Sequence, residues 1–223
     1  SCTDHFKLKF FLQIIVAKIL IDQGYVISNY HGLFGLYEVP WILAQLSTVF
    51  VFLVIINAIN FIDGIDGLAI TEVIKTILLI EFFSAGDTAL SPLALLLVIS
   101  ILPLYYFNFK KEHKVFLGDG GSLLLGTIIS IYVFYTLGSD YEFKPEFTVN
   151  KALFAVLVLL YPLVDLLRVF IIRIKKGNSP FQADQNHIHH FFLRKINSLI
   201  PAFLVVILII ILIQLILFSI AII

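Results

Sequence analysis

Residues 57–69 read NAINFIDGIDGLA, and residues 116–122 read FLGDGGS. Asp63 and Asp66 are each followed by a glycine, and Asp119 by two. Hard carboxylate oxygens suit Mg²⁺, which is usually held by one or two carboxylates together with substrate phosphates. Mn²⁺ takes similar oxygen donors. Glycines let the backbone approach a ligand closely, and a turn that opens a helix offers unpaired N–H groups to phosphate. Asp66 and Asp119 are expected just before helix starts at Leu68 and Ser122. Helix capping is the plain alternative for any one of these aspartates. Three of them, with Asn57 and Asn60 alongside, favour a metal and phosphate site.

A third polar stretch, SPFQADQNHIHH, spans residues 179–190. His187, His189 and His190 lie within four positions, and on a helix His187 and His190 share a face. Imidazole can bond a phosphate or a nucleotide. Zinc is a rival ligand, disfavoured because the other motifs offer only oxygen and glycine. A solvated amphipathic helix at the membrane surface is compatible with either role. Asp165 and Arg168 sit three apart in an apolar run, where charges are costly and usually pair. A structural ion pair and a substrate role both remain open for them. Arg173, Lys175 and Lys176 fit either ordinary membrane anchors or contacts to an anionic substrate. Glu72 and Lys75 are expected to pair with each other.

The elements that must carry these residues are apolar. The chain has 223 residues, 60% hydrophobic and 13% charged, with a mean hydropathy of +1.03. That excess over a soluble domain reads as a polytopic helical membrane protein. Zero net charge gives no sign of a nucleic-acid partner. The lone Cys2 excludes an internal disulfide framework. The chain contains no Met and opens on Ser1, which reads as a fragment or a processed chain. A span needs about 20 residues. Seven apolar segments are expected to cross, at 8–21, 40–57, 68–84, 90–109, 122–138, 152–174 and 200–223. They form one all-α membrane-embedded domain over 1–223. Alternating loops then place ten basic residues on one side, from Lys7 and Lys9 to Arg194 and Lys195, against Lys144 and Lys151 on the other. By the positive-inside rule the first side is cytoplasmic. All three polar motifs fall on it.

NAINFIDGIDGLA, FLGDGGSLLLG and PLVDLLRV…SPFQADQNHIHH, in this order and on one face, resemble the polyprenyl-phosphate N-acetylhexosamine-1-phosphate transferases of glycosyl transferase family 4. The resemblance runs from about Lys7 to Leu193, and Asn108 before the FLGDGGS loop also fits. It implies a bacterial inner-membrane enzyme that moves a sugar 1-phosphate from a UDP-N-acetylhexosamine to undecaprenyl phosphate, with Mg²⁺ and with its active site in the cytoplasm. The HIHH form is similar to the UDP-GlcNAc branch; the phospho-MurNAc-pentapeptide branch ranks second. By the resemblance, Asp119 is the principal metal ligand, and Asp63 and Asp66 assist with metal or substrate. Asn57 and Asn60 place the sugar nucleotide or the turn. His187, His189 and His190 contact phosphates or uridine. The resemblance leaves room for a homodimer, for which the sequence offers no interface. It also implies further helices upstream and an adjacent Asp-Asp pair before a KLK-like segment. Here KLKF stands at 7–10, with only Asp4 nearby, between Thr3 and His5.

Two readings of other classes compete. A transporter would place polar residues near the bilayer midplane, between broken helices, and would show internal repeats; here the motifs lie in loops and no repeat is visible. A remnant that only binds a lipid phosphate is the other.

Overall fold

A computed structural model describes residues 2–63, 67–110, 115, 117–177 and 199–222. Asp66, His187, His189 and His190 lie outside them. The described residues form eight helices: α1 (Cys2–Asp22), α2 (Trp41–Ile62), α3 (Leu68–Phe83), α4 (Ser91–Phe109), α5 (Gly118–Leu137), α6 (Lys151–Val158), α7 (Leu160–Lys175) and α8 (Leu199–Ile222). Each expected apolar segment coincides with a helix or, at 152–174, with a pair of them. Three helices are long and apolar enough to cross a membrane alone, α2, α4 and α5, and the α6–α7 pair makes a fourth if counted as one bent span. The protein is therefore a helical membrane protein.

α2 is the central element, packed by α1, α3, α5 and α7. It has no charged residue between Trp41 and Ile62 and buries Phe52, Ile55, Ile59 and Ile62. Its closest neighbour is α5, and the approach depends on Gly126: a Cβ there would stand 2.8 Å from the Ile56 Cα. α3 buries Val73, Ile77 and Ile80 against α4 and α5. At the far end of the bundle from the DG motifs, Phe83 gathers Phe147, Phe154 and Phe218, with ring centroids 4.5, 5.2 and 5.4 Å away.

Two departures from the expected architecture stand out. The span expected at 152–174 is broken at Leu159, where α6 and α7 meet at 70°. Pro162 is the cause: it has no N–H for the Val158 carbonyl, and its ring disfavours a straight continuation. The chain is also not purely α-helical. Between α1 and α2, strands β1 (Asn29–Leu33) and β2 (Leu36–Glu38) pair antiparallel. His31 within β1 and Phe34 in the turn take left-handed backbone conformations, φ 52° and 54°, and Phe34 is 92% exposed. The hairpin is tied to its neighbours. The Asn150 amide donates to the His31 carbonyl, and the His31 Nε2 donates to the Leu137 carbonyl at 2.9 Å.

Candidate active site

The first DG motif is made by a helix end. α2 stops at Asp63, its half-buried C-cap residue, and α3 begins after Gly67. Gly67 has φ +79°, and an added Cβ would lie 2.8 Å from the Phe109 ring. Both facts demand glycine. The Gly67 N–H donates to the Asn108 side-chain oxygen, and the Asn108 amide donates to the Val115 carbonyl at 2.8 Å. Asn108 is 4% exposed. It binds the two motif-bearing stretches together, with both ends of its amide on backbone.

The second motif opens α5. The helix begins at Gly118, four residues earlier than expected, so Asp119 stands in its first turn rather than ahead of it. Asp119 makes no cap. Its carboxylate is 73% exposed and faces α1 and α2. The Lys9 ammonium donates to Asp119 Oδ2 at 3.0 Å and to Asn60 Oδ1 at 3.2 Å. The Asn60 amide in turn donates to Asp119 Oδ1 at 3.1 Å and to Ser122 Oγ at 2.7 Å. The Ser122 hydroxyl donates to the Gly118 carbonyl at 2.8 Å. Lys9, Asn60, Asp119 and Ser122 thus form one network drawn from three helices. Asp119 stands ahead of the uncharged stretch of α5, which begins at Gly120. The Asn60 amide, and after it Lys9, hold its carboxyl below the usual carboxylate range. The positive N-terminal end of α5 acts in the same direction.

Asn57 lies one turn below Asn60 and faces α1. Its amide donates to the Gln13 side-chain oxygen at 3.0 Å and to the Leu53 carbonyl at 2.8 Å. Gln13 Nε2 is buried without a partner among the described residues. Arg173, at the end of α7, is only 2% exposed, and its guanidinium lies 5.3 Å from the centre of the Phe61 ring. It comes to the same end of the bundle, beneath the Asn60–Asp63 turn. Asp165 is fully buried on α7, and Arg168 is half-buried. Glu72 and Lys75 pair as expected, at 2.6 Å.

The geometry therefore brings Asn60, Asp63, Asp119 and Arg173 to one end of the molecule. It adds Lys9, Gln13 and Ser122, which sequence reasoning passed over. The sequence marks Lys9 as a positive-inside residue and as part of the KLKF segment, without a partner. Ser122 could have been found, because Asp119 and Ser122 are three apart and share a helix face. The residues present fit a hard divalent cation. Lys9 already sets a positive charge between two oxygens, Asp119 Oδ2 and Asn60 Oδ1. Among the described residues no group of three or more His, Cys, Asp or Glu gathers, so a cation here would depend on one or two carboxylates and on substrate oxygens.

Comparison with known proteins gives a family for the chain. The family model for glycosyl transferase family 4 matches residues 4–137. The undecaprenyl-phosphate alpha-N-acetylglucosaminyl 1-phosphate transferase of Pasteurella multocida is 37% identical over 103 residues, 44% of this chain and 27% of that protein. The Salmonella typhi protein of the same name is 29% identical over 203 residues, 86% of this chain and 53% of its own length. The Escherichia coli K12 one is 34% identical over 113 residues, 49% and 29% respectively. The chain spans about half the length, at most, of the curated relatives it matches. The matched stretch covers more than half of the chain and contains Lys9, Asn60, Asp63, Asp119 and Ser122, and the chain belongs to glycosyl transferase family 4.

Proposed function

We propose that the protein transfers N-acetylglucosamine 1-phosphate from UDP-GlcNAc to undecaprenyl phosphate. An oxygen of the lipid phosphate attacks the β-phosphorus, the bond to the bridging oxygen breaks, and UMP leaves. The observation that carries this reading is the Lys9–Asn60–Asp119–Ser122 network at the mouth of an apolar helix bundle. A prenyl chain can remain in the bilayer there while its phosphate meets a soluble nucleotide. The names of the relatives favour N-acetylglucosamine over the phospho-MurNAc-pentapeptide branch.

Lys9 neutralises anionic charge at the reacting phosphates, and Asn60 orients Asp119. Asp63, one turn beyond Asn60, assists with metal or substrate. Arg173, backed by Phe61, stabilises the diphosphate or the departing UMP. The lipid phosphate, with a second pKa near 6, is mostly dianionic at neutral pH and so needs no dedicated base. Asp119, with Asp63, would hold Mg²⁺ or Mn²⁺, which when bound offsets the charge that develops on the leaving phosphate. Asp66, His187, His189 and His190 complete the substrate contacts.

The fold would be a seven-span bundle in the bacterial inner membrane, with the site in the cytoplasm. Support comes from the match of all seven apolar segments to helices or a helix pair, and from the ten-to-two division of basic residues.

The test is UMP release from the full-length protein, supplied with undecaprenyl phosphate and UDP-GlcNAc, with and without Mg²⁺. Lipid- and Mg²⁺-dependent release is expected from the wild type. Asp119→Asn should lower it by about 10²–10³-fold, the scale of losing a principal electrostatic group, with the melting curve retained. Near-normal turnover in that variant overturns the assignment of Asp119.

A further inference from the structure

α8 is almost wholly apolar, LIPAFLVVILIIILIQLILFSIAI, with Gln214 and Ser219 its only polar side chains. Gln214 is 5% exposed. An amide among hydrocarbon is unfavourable unless its groups are bonded, and a leucine would fill the position without that cost. The Gln214 amide is bonded, however, and to a particular place. Its Nε2 donates to the Leu157 carbonyl at 2.9 Å and to the Val158 carbonyl at 3.1 Å. These are the last two carbonyls of α6, directly before the 70° break at Leu159.

Val158 needs an outside donor for a reason visible in the sequence. In an unbroken helix its carbonyl would accept from the N–H of residue 162, which is proline. A bare carbonyl inside a membrane protein must find another partner, and neighbouring helices are the usual source. The break in turn decides where α7 points. α7 packs on α2 and carries Arg173 to its buried seat over Phe61, next to Asn60.

We infer that Gln214 is a positioning residue: by bonding the carbonyls exposed at the α6–α7 break, it fixes the direction of α7 and so the place of Arg173 at the reacting end. Its effect on the reaction rests on the transfer reading above; its effect on α7 does not. The two are measured separately in the full-length protein with Cys2 replaced by serine.

Spin labels at Leu46 on α2 and Leu167 on α7, both exposed, report the interhelix distance by double electron–electron resonance. Gln214→Leu should shift and broaden that distribution. It should also raise the KM for UDP-GlcNAc by about tenfold, the scale of one or two lost hydrogen bonds, with a smaller change in kcat. Gln214→Asn, whose shorter amide can serve one carbonyl, should give an intermediate shift and provides a milder variant if the leucine one folds poorly. In a Pro162→Ala background the N–H of residue 162 can reach Val158, so the effect of Gln214→Leu should shrink. An unchanged distance in Gln214→Leu overturns the inference. So does an equal effect in both backgrounds, which would mean that Gln214 acts only through packing. If the wild type releases no UMP, the transfer reading fails while the distances still decide the role of Gln214.

Discussion

Asp119 carries two different relations at once. Its carboxylate accepts from Asn60 and from Lys9, and both contacts favour the charged form, so its folded-state pKa lies below the unfolded value. Such a group adds stability above the unfolded pKa, near 4, and that contribution is lost as pH falls through the folded pKa. The stability difference between wild type and Asp119→Asn should therefore be constant around neutrality and fade on acidification below about pH 4. Thermal melts across pH measure it; a difference that grows on acidification contradicts the network. The effect is small because the carboxylate is largely exposed. The aspartates were legible from their Asp-Gly setting, whereas Lys9 was not. A lysine near a membrane mouth is common for reasons of topology, and only the position of α1 against α2 and α5 reveals its second use.

At the scale of elements, the network can close only if α2 and α5 touch. Asn60 belongs to one and Asp119 and Ser122 to the other, and Gly126 permits the contact by leaving room for the Ile56 backbone. Gly126→Ala should force the helices apart and cost about 1–3 kcal/mol through overpacking. UMP release should fall along with the melting temperature; unchanged values for both would mean that the helices absorb the methyl elsewhere. Helix positions were readable because hydropathy marks them directly. The break at Leu159 was not: Pro162 lies within an apolar run, and hydropathy weighs composition rather than missing N–H groups. The start of α5 moved for a similar reason, since GDGG looks like a loop until its backbone is seen to wind into the helix. The hairpin at 29–38 went unread because its two short strands lie in a polar connection without strong alternation.

At the scale of the molecule, the hairpin and the Lys9–Asn60–Asp119–Ser122 network lie at opposite ends of the bundle. A cysteine at Phe34, the exposed hairpin tip, should react with a membrane-impermeant maleimide in intact cells. One at Lys176, beyond the end of α7, should react only after permeabilisation. The reverse pattern would invert the proposed orientation and place the network outside.

The bridge made by Asn108 has a consequence for binding thermodynamics. One buried side chain joins the Gly67 N–H to the Val115 carbonyl, so the turn after α2 and the approach to α5 share an ordering cost. A ligand that immobilises one of them relieves part of the entropy that a second ligand would lose at the other. Under the proposed transfer, lipid phosphate and nucleotide sugar would then bind with positive cooperativity, in addition to whatever their direct contact contributes.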